Sequence, residues 1–496
     1  MEPRYVLGVD IGTSSVRALV YDRRLSSVDG LESQIPYAPN VQLDGSVTIA
    51  PDELVTKVFE VLDEVTASLT TAGQSVDLVG ISCFWHSLLL LDDANRPIAP
   101  VSLWADTRPA STMAAFAQTV DGSRLSEATG ARPHPSYWPA KLFWYTQTDP
   151  AALGRAVRVV SAAEYLWWRL FGEFRVGVSM ASGTGLLNIS TCKWDDYACS
   201  LLPSKLVEGL SPVGDEDTSI LAPSFRKRWP AMATARWSLP VGDGACSSIG
   251  AGGWSADRVV MTVGTSSAVR VVIPDASAHK RRAERATRGL WVYRVDSARL
   301  IIGGALSEGG NLIAWLQSCL GLGDIDAAEK LIRDYPAGRG ALTLLPFIAG
   351  ERSPGWHAGA KAVLLGLNLS TTPLDILQAG MESIAYQLQT ILDQLIAGSG
   401  EPHMIIASGG ALYRSDLWTQ IIANVCDRSL VGSAVAETAS RGAAALALEA
   451  AGVIDLGDLE LDLGRTFRPT DTAAYSAGRQ RQQRLYKALV SNRPEA

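Results

Sequence analysis

The chain has 496 residues, 47% hydrophobic and 19% charged, with a formal net charge of −7. That length exceeds what one hydrophobic core organises, so two or three domains are expected, and that apolar content excludes wholesale disorder. The acidic balance argues against a protein that grips a phosphate backbone with a basic face.

The chain opens as strand, tight turn, strand, over 5–10 and 16–21. Residues 51–69 follow with helical periodicity, Leu54, Val58, Val61, Leu62 and Val65 falling on one side. Residues 76–82 are a continuous apolar run, which reads as a buried strand, and 88–91 are a second strand before the polar Asp-Asp-Ala-Asn turn. The stretch EYLWWRLFGE is a short helix closed by Gly172. After a glycine-rich boundary over 240–253, strands are expected over 259–263 and 268–273. RLIIGGALSEGGNLIAWLQ then reads as strand, glycine loop, helix. PLDILQAGMESIAYQLQTILDQLI is a long amphipathic helix with Thr372 as N-cap. HMIIASGGALYRSDLWTQIIANV is strand, Gly-Gly turn, helix, and ETASRGAAALALEAAG is a small-residue helix suited to close packing.

Two basic runs, Arg226-Lys227-Arg228 and Lys280-Arg281-Arg282, read as solvated loop or helix ends rather than a nucleic-acid patch. The cysteines Cys83, Cys192, Cys199, Cys246, Cys319 and Cys426 are scattered without a CxxC pair, as thiols of a reducing compartment are. The first residues carry Glu2 and Arg4 and enter a strand pattern at once, unlike a signal peptide. No apolar run reaches the length of a membrane span. The expectation is a soluble cytoplasmic protein with no membrane or nucleic-acid partner.

The segment VDIGTSSVRALVYD raises a chemical question, because TVGTSSAVRVVI returns roughly halfway along the chain. Each copy follows a leading strand, which suggests an internal duplication. A turn with successive backbone N–H groups and hydroxyls forms an anion-binding concavity. Thr13, Ser14 and Ser15 would line one, and Thr265, Ser266 and Ser267 the other, as a grip on a polyphosphate. An ordinary Gly-Ser turn is the competing reading. Asp10 precedes the first copy where Thr262 precedes the second. A carboxylate beside a phosphate grip needs a cation between them, so Asp10 is a candidate Mg²⁺ partner through water. Arg17 supplies charge to the same phosphates or caps the strand end. Competing motifs are missing: no Lys follows a Gly, and there is no GxGxxG, GxSxG or HExxH.

The ordered set VDIGTSS, WADTR at 104–108, TGARPHPSYWPAKLFW at 129–144, VGDGACSSIGAG at 241–252, TVGTSS, GGALSEGGNLIAWL, LPFIAGERSPGW at 345–356 and ASGGALYRSDLWTQIIANV resembles the FGGY carbohydrate kinases. The resemblance spans nearly the whole chain. It implies an α/β, duplicated ribonuclease H-like fold of the actin and hexokinase type, with two domains around a central ATP and sugar cleft. The expected division is 1–244, sugar-binding with the first phosphate hairpin, and 245–496, nucleotide-binding. The activity implied is ATP-dependent phosphorylation of a sugar hydroxyl with ATP and Mg²⁺, and a homodimer stays open. Asp243 matches the family's general base, although an aspartate in Gly-Asp-Gly is otherwise a common turn or N-cap residue. Thr13, Ser14, Arg17, Gly264, Thr265, Gly310, Gly409 and Gly410 match nucleotide-binding positions, as does Arg414, where some members carry Asn.

Substrate contacts are implied for Trp85, His86, Trp104 and Gly244. Glycerol kinases read Arg-Glu where this chain has Trp85 and His86, which argues against glycerol. Asp106 and Arg108 either order the Trp104 loop or form a structural ion pair. The branch most resembled is gluconate kinase, with His134, Lys141 and His86 as a donor-rich pocket for a sugar acid. A ketopentose such as xylulose is the alternative, and a non-catalytic actin-like ATP-binding module is the alternative class.

Overall fold

The computed structural model describes residues 4–215, 218–275 and 289–491; the run Lys280-Arg281-Arg282 lies outside them. The chain forms two compact units. The first comprises Met1–Gly250, Val292–Ile301 and Glu437–Glu460, the second Ala251–Trp291, Ile302–Ala436 and Leu461–Ala496.

In the first unit the strands Thr218–Ser219, Arg236–Ser238, Leu78–Cys83, Val6–Ile11, Ser15–Tyr21 and Ser27–Pro36 lie side by side in that order. Val241–Gly242 runs parallel to the last residues of Leu78–Cys83. Every residue of Val6–Ile11 is buried, as a strand covered on both faces requires. Side chains alternate across it. Ile11 and its neighbour Cys83 line a small cavity with Leu54, Val55 and Val58 of the helix Pro51–Thr71. Gly8 and Gly80, paired in register, face the helix Thr438–Ala450 instead. A Cβ on Gly8 would stand 2.1 Å from the Ser440 carbonyl oxygen, and one on Gly80 2.1 Å from that of Ala443. The same helix touches Asp243–Gly250 backbone to backbone: a Cβ on Gly442 would lie 1.8 Å from the Cys246 oxygen. The small-residue helix packs as its sequence implies, and it packs within the first unit. The helix Ala162–Phe171 opens with a Ser161–Glu164 capping box and closes at Gly172 with φ 80°. Behind it, Leu88, Leu90, Trp138, Leu142, Val159 and Leu186 form a second apolar cluster.

In the second unit Ser267–Pro274, Arg258–Val263, Met404–Ser408, Leu430–Ser433 and Leu463–Phe467 lie in order. The 27-residue helix Pro373–Ser399 starts at a Thr372–Asp375 capping box and buries Leu377, Met381, Ile384, Leu388 and Leu392. Trp418 in the helix Asp416–Cys426 donates its indole N–H to the Met381 carbonyl at 3.1 Å.

The plan repeats to the residue. Val6–Ile11 pairs antiparallel with the strand after its turn and parallel with Leu78–Cys83, placing Asp10 opposite Arg17 and Ser82. Arg258–Val263 does the same, placing Thr262 opposite Ala268 and Ser408. No helix among the described residues is long and apolar enough to cross a membrane.

Candidate active site

The first hairpin turn closes with the Gly12 N–H donating to the Ser15 carbonyl at 3.0 Å. Thr13 is half-buried and Ser14 exposed. Arg17 pairs with Glu437 at 2.8 Å, both side chains about one-third exposed, so its charge is shared with that carboxylate. Asp10 is 8% exposed, and Ser82 Oγ donates to its Oδ1 at 2.7 Å. Burial pushes the Asp10 carboxyl up to about 7. Ser82 opposes that shift, the nearby Asp243 carboxylate adds to it, and Arg17 counteracts it. A cation beside a buried carboxyl would favour its ionised form. Among the described residues no three His, Cys, Asp or Glu side chains form a metal cage. That donor set fits Mg²⁺, which keeps waters and takes one or two carboxylates plus phosphate oxygens.

Asp243 begins the helix Asp243–Gly250 directly after the strand Val241–Gly242. The pairing of Gly242 with Cys83 carries it to the end of the sheet. It is half-buried, and the Gly244 N–H donates to its Oδ1 at 2.7 Å. A carboxylate at a helix start is stabilised by the N–H groups pointing at it. Gly244 itself is buried.

The indole of Trp85 lies where two glycines leave room for it. A Cβ on Gly242 would be 1.9 Å from Trp85 Cε2, and one on Gly183 2.4 Å from its Cδ1. Its Nε1–H donates to the Ser179 carbonyl at 3.0 Å. His86 has φ 67° and is 5% exposed. Its Nδ1 lies 2.6 Å from the Gly183 carbonyl oxygen. A carbonyl only accepts, so Nδ1 carries the hydrogen. The rings of Tyr137 and Tyr293 stand edge-on to His86, with centroids 5.2 and 5.6 Å away. Tyr293 also meets Trp85 at 5.1 Å, and the two tyrosine hydroxyls are hydrogen-bonded.

Tyr293, 1% exposed, is a neighbour of Trp85 and His86 that sequence reasoning missed. It lies after the hairpin of the second half, where no substrate contact was expected, yet Val292–Ile301 belongs to the first unit. Only the aromatic density of Trp-Val-Tyr signalled it. Trp104 is half-buried, and its carbonyl accepts from Ser136 Oγ at 3.1 Å. The Asp106–Arg108 alternatives resolve as a two-pronged ion pair, with Nε to Oδ1 at 3.0 Å and Nη2 to Oδ2 at 2.6 Å.

The expected pocket of His134, Lys141 and His86 requires correction. Lys141 is 1% exposed, and its ammonium donates to the carbonyls of His86 at 2.8 Å, Leu103 at 2.8 Å and Ser102 at 3.3 Å. Burial pushes it down to about 7, Asp106 resisting. An ammonium with three backbone acceptors has no hydrogen left for a substrate carboxylate. His134 Nδ1 is held by Ser136, 3.0 Å from its Oγ.

In the second unit the Gly264 N–H closes its turn onto the Ser266 carbonyl at 2.9 Å. The N–H groups of Gly310 and Asn311, opening the helix Gly310–Leu320, donate to Gly264 and Thr265 carbonyls at 2.8 and 3.1 Å. A Cβ on Gly310 would be 2.9 Å from the Gly264 oxygen and 3.9 Å from Ala411 Cβ. Gly264, Thr265 and Gly310 thus form one constellation with Gly409, whose φ is 93° and whose added Cβ would strike the Val263 oxygen at 2.6 Å. Gly410 faces open space, with only Arg414 Nη2 near, at 3.9 Å from an added Cβ. Thr265 and Arg414 are exposed. Where Ser82 satisfies Asp10 in the first copy, the hydroxyls of Thr262 and Ser408 are buried without a hydrogen-bond partner.

Comparison with known proteins agrees over the whole length. The N-terminal domain model of the FGGY family of carbohydrate kinases matches residues 5–213, and its C-terminal domain model matches 259–451. The chain is 26% identical to a gluconokinase of Bacillus subtilis, covering 94% of this chain and 91% of that protein. It is also 26% identical to a xylulose kinase of Escherichia coli, covering 98% and 99%. A gluconate kinase structure from Lactobacillus acidophilus superimposes with a TM-score of 0.86 at 23% identity, covering 99% of both chains. A ligand-bound xylulose kinase from the same species gives 0.87 at 23% identity with the same coverage. With both family domains matched in order over most of its length, and with a duplicated actin- and hexokinase-like fold, the chain belongs to the FGGY family of carbohydrate kinases, which are phosphotransferases.

Proposed function

We propose that the protein transfers the γ-phosphoryl group of ATP to a hydroxyl of a sugar acid, D-gluconate at its 6-hydroxyl, with Asp243 as general base. The observation that supports this most is the placement of Asp243. It is a half-buried carboxylate at a helix start, its helix following the glycine that makes room for Trp85, and it acts electrostatically on Asp10. An alcohol must lose its proton as it attacks the γ-phosphorus in line with the leaving oxygen. A carboxylate in reach takes that proton, and orientation supplies much of the remaining acceleration. Trp85 and Trp104 offer apolar faces to the C–H side of the sugar, and His86 is a further sugar contact. Within the first unit, Thr13 and Ser14 offer phosphate contacts; within the second, Gly264 and Thr265 do so, and Gly310, Gly409 and Gly410 leave the backbone open to close approach by a nucleotide. Mg²⁺, which Asp10 would hold through water, supplies charge neutralisation to the phosphates when bound.

Gluconate rests on similarity to gluconokinases, two of which are each 26% identical to this chain. Xylulose is the second reading, and a specific observation favours it: Lys141 has its hydrogens on carbonyls, which suits an uncharged sugar.

The test is ADP release with Mg-ATP against gluconate, D-xylulose, L-ribulose, glycerol, erythritol and further sugar acids. One strong substrate, lost in Asp243→Asn, is expected. The variant should lose about 10²–10⁴-fold in turnover while still binding ADP. Near-wild-type kcat in Asp243→Asn would remove Asp243 from the role.

A further inference from the structure

Lys141 does chemistry that neither the fold nor the transfer reaction explains. A buried lysine is ordinarily paired with a carboxylate. Here the nearby carboxylate, Asp106, is engaged by the Arg108 fork and by Ser102 Oγ at 2.9 Å. The ammonium, reaching from the helix Trp138–Thr148, instead donates to three main-chain carbonyls, those of His86, Ser102 and Leu103. Three acceptors use all three hydrogens of an ammonium.

The three carbonyls come from two separate segments, which share one property. His86 is itself a proposed sugar contact, and Ser102 and Leu103 lead directly into Trp104, another. The His86 backbone sits in the left-handed region, a conformation a non-glycine residue keeps only where its surroundings over-determine it. Two bonds do so from opposite sides of the residue: Lys141 Nζ to its carbonyl, and its own Nδ1 to the Gly183 carbonyl. The two segments are already joined by paired Leu88–Ser102 backbone bonds of 2.9 Å.

We propose that Lys141 is a positioning residue for sugar recognition, holding the His86 turn and the approach to Trp104 in one geometry through backbone carbonyls. This inference rests on the proposed sugar site, so its test carries a control on that site.

Lys141→Met keeps the stem and removes the donors. With the sugar selected by the substrate panel, its KM should rise about tenfold to a hundredfold, the scale of a small misplacement of binding groups, while kcat and the ADP dissociation constant stay within about twofold. Lys141→Arg, which keeps charge and donors in a planar fork, should recover part of the loss. His86→Ala is the control. If it raises KM and Lys141→Met does not, the positioning role is overturned and the sugar site stands. If neither raises KM, the sugar site itself is misassigned and the inference falls with it. Should Lys141→Met fail to fold, wild-type protein carrying ¹³C at lysine Cε gives the answer, with Lys141→Arg assigning the signal. The Lys141 resonance should move on adding sugar and stay still with ADP alone. A resonance that sugar leaves unmoved overturns the proposal.

Discussion

Asp10 and Thr262 hold the same place in two copies of one hairpin, and their chemistry divides the work of the copies. The strand that supplies Ser82 opposite Asp10 has its counterpart in Ser408 opposite Thr262. At this position the first copy has a carboxylate and the second a neutral hydroxyl. Glu308, beside the Gly309–Gly310 turn, fits the same rule. It is 1% exposed, and burial pushes its carboxyl up to about 8; the Ala349 N–H, 2.9 Å from Oε1, opposes, while Glu351 adds to the shift. Near neutral pH it therefore keeps its proton, and it would not repel a phosphate bound at the proposed nucleotide site. In the unfolded chain the carboxyl titrates in the usual carboxylate range, so between that range and about 8 the folded state binds the extra proton. Its contribution to stability is full at low pH and is lost as pH rises through about 8. Glu308→Gln keeps the shape and cannot ionise. The wild-type Tm should fall relative to the variant as pH rises from about 6 to about 9, and wild-type ADP affinity should fall over the same window. Parallel curves from scanning calorimetry and titration would mean that Glu308 is ionised throughout.

At the scale of elements, glycines decide how the carboxylate proposed as general base is placed. The helix that starts at Asp243 lies against Thr438–Ala450 with main chains in contact at Gly442 and at Gly250, where a Cβ would be 1.8 Å from the Thr438 oxygen. The neighbours are backbone atoms, which have nowhere to go. Gly442→Ala should destabilise by about 1–3 kcal/mol, as overpacking in a tight core does, and move the Asp243 helix enough to reduce kcat. Urea unfolding and turnover measure both; an unchanged midpoint would show that the helices part freely. The same elements show what the sequence could and could not reveal. The hairpins, the Thr372 cap, the Gly172 stop and the packing habit of Thr438–Ala450 are local signals of periodicity, capping and residue size, so they were legible. Asp243 became a candidate base only through the resemblance, because Gly-Asp-Gly by itself describes any turn. Tyr293 and the Lys141 tether were not legible, since each depends on residues brought together from distant parts of the chain. The donor pocket expected from Lys141 failed for the same reason: a sequence shows a cation but not the carbonyls that occupy it.

On the scale of the molecule, duplication gives each unit its own sheet and its own covering helices, while the chain crosses between them more than once. Thr438–Ala450 follows the second unit's strand Leu430–Ser433 in sequence, yet it belongs to the first unit, on Gly8 and Gly80. Sequence position and packing thus predict opposite behaviour for this helix when one unit is weakened. Leu392, fully buried on the helix Pro373–Ser399, is a place to weaken the second unit alone. Leu392→Ala should cost about 2–5 kcal/mol through the cavity it leaves. Amide exchange then reads the consequence, because protection follows the stability of the unit an amide belongs to. Amides of Met404–Ser408 and Asp416–Cys426 should exchange faster in the variant, while those of Thr438–Ala450 should keep wild-type protection together with Val6–Ile11. If Thr438–Ala450 instead loosens in step with Met404–Ser408, the helix is energetically part of the second unit. The glycine contacts at Gly8 and Gly80 would then be a weaker tie than their closeness implies.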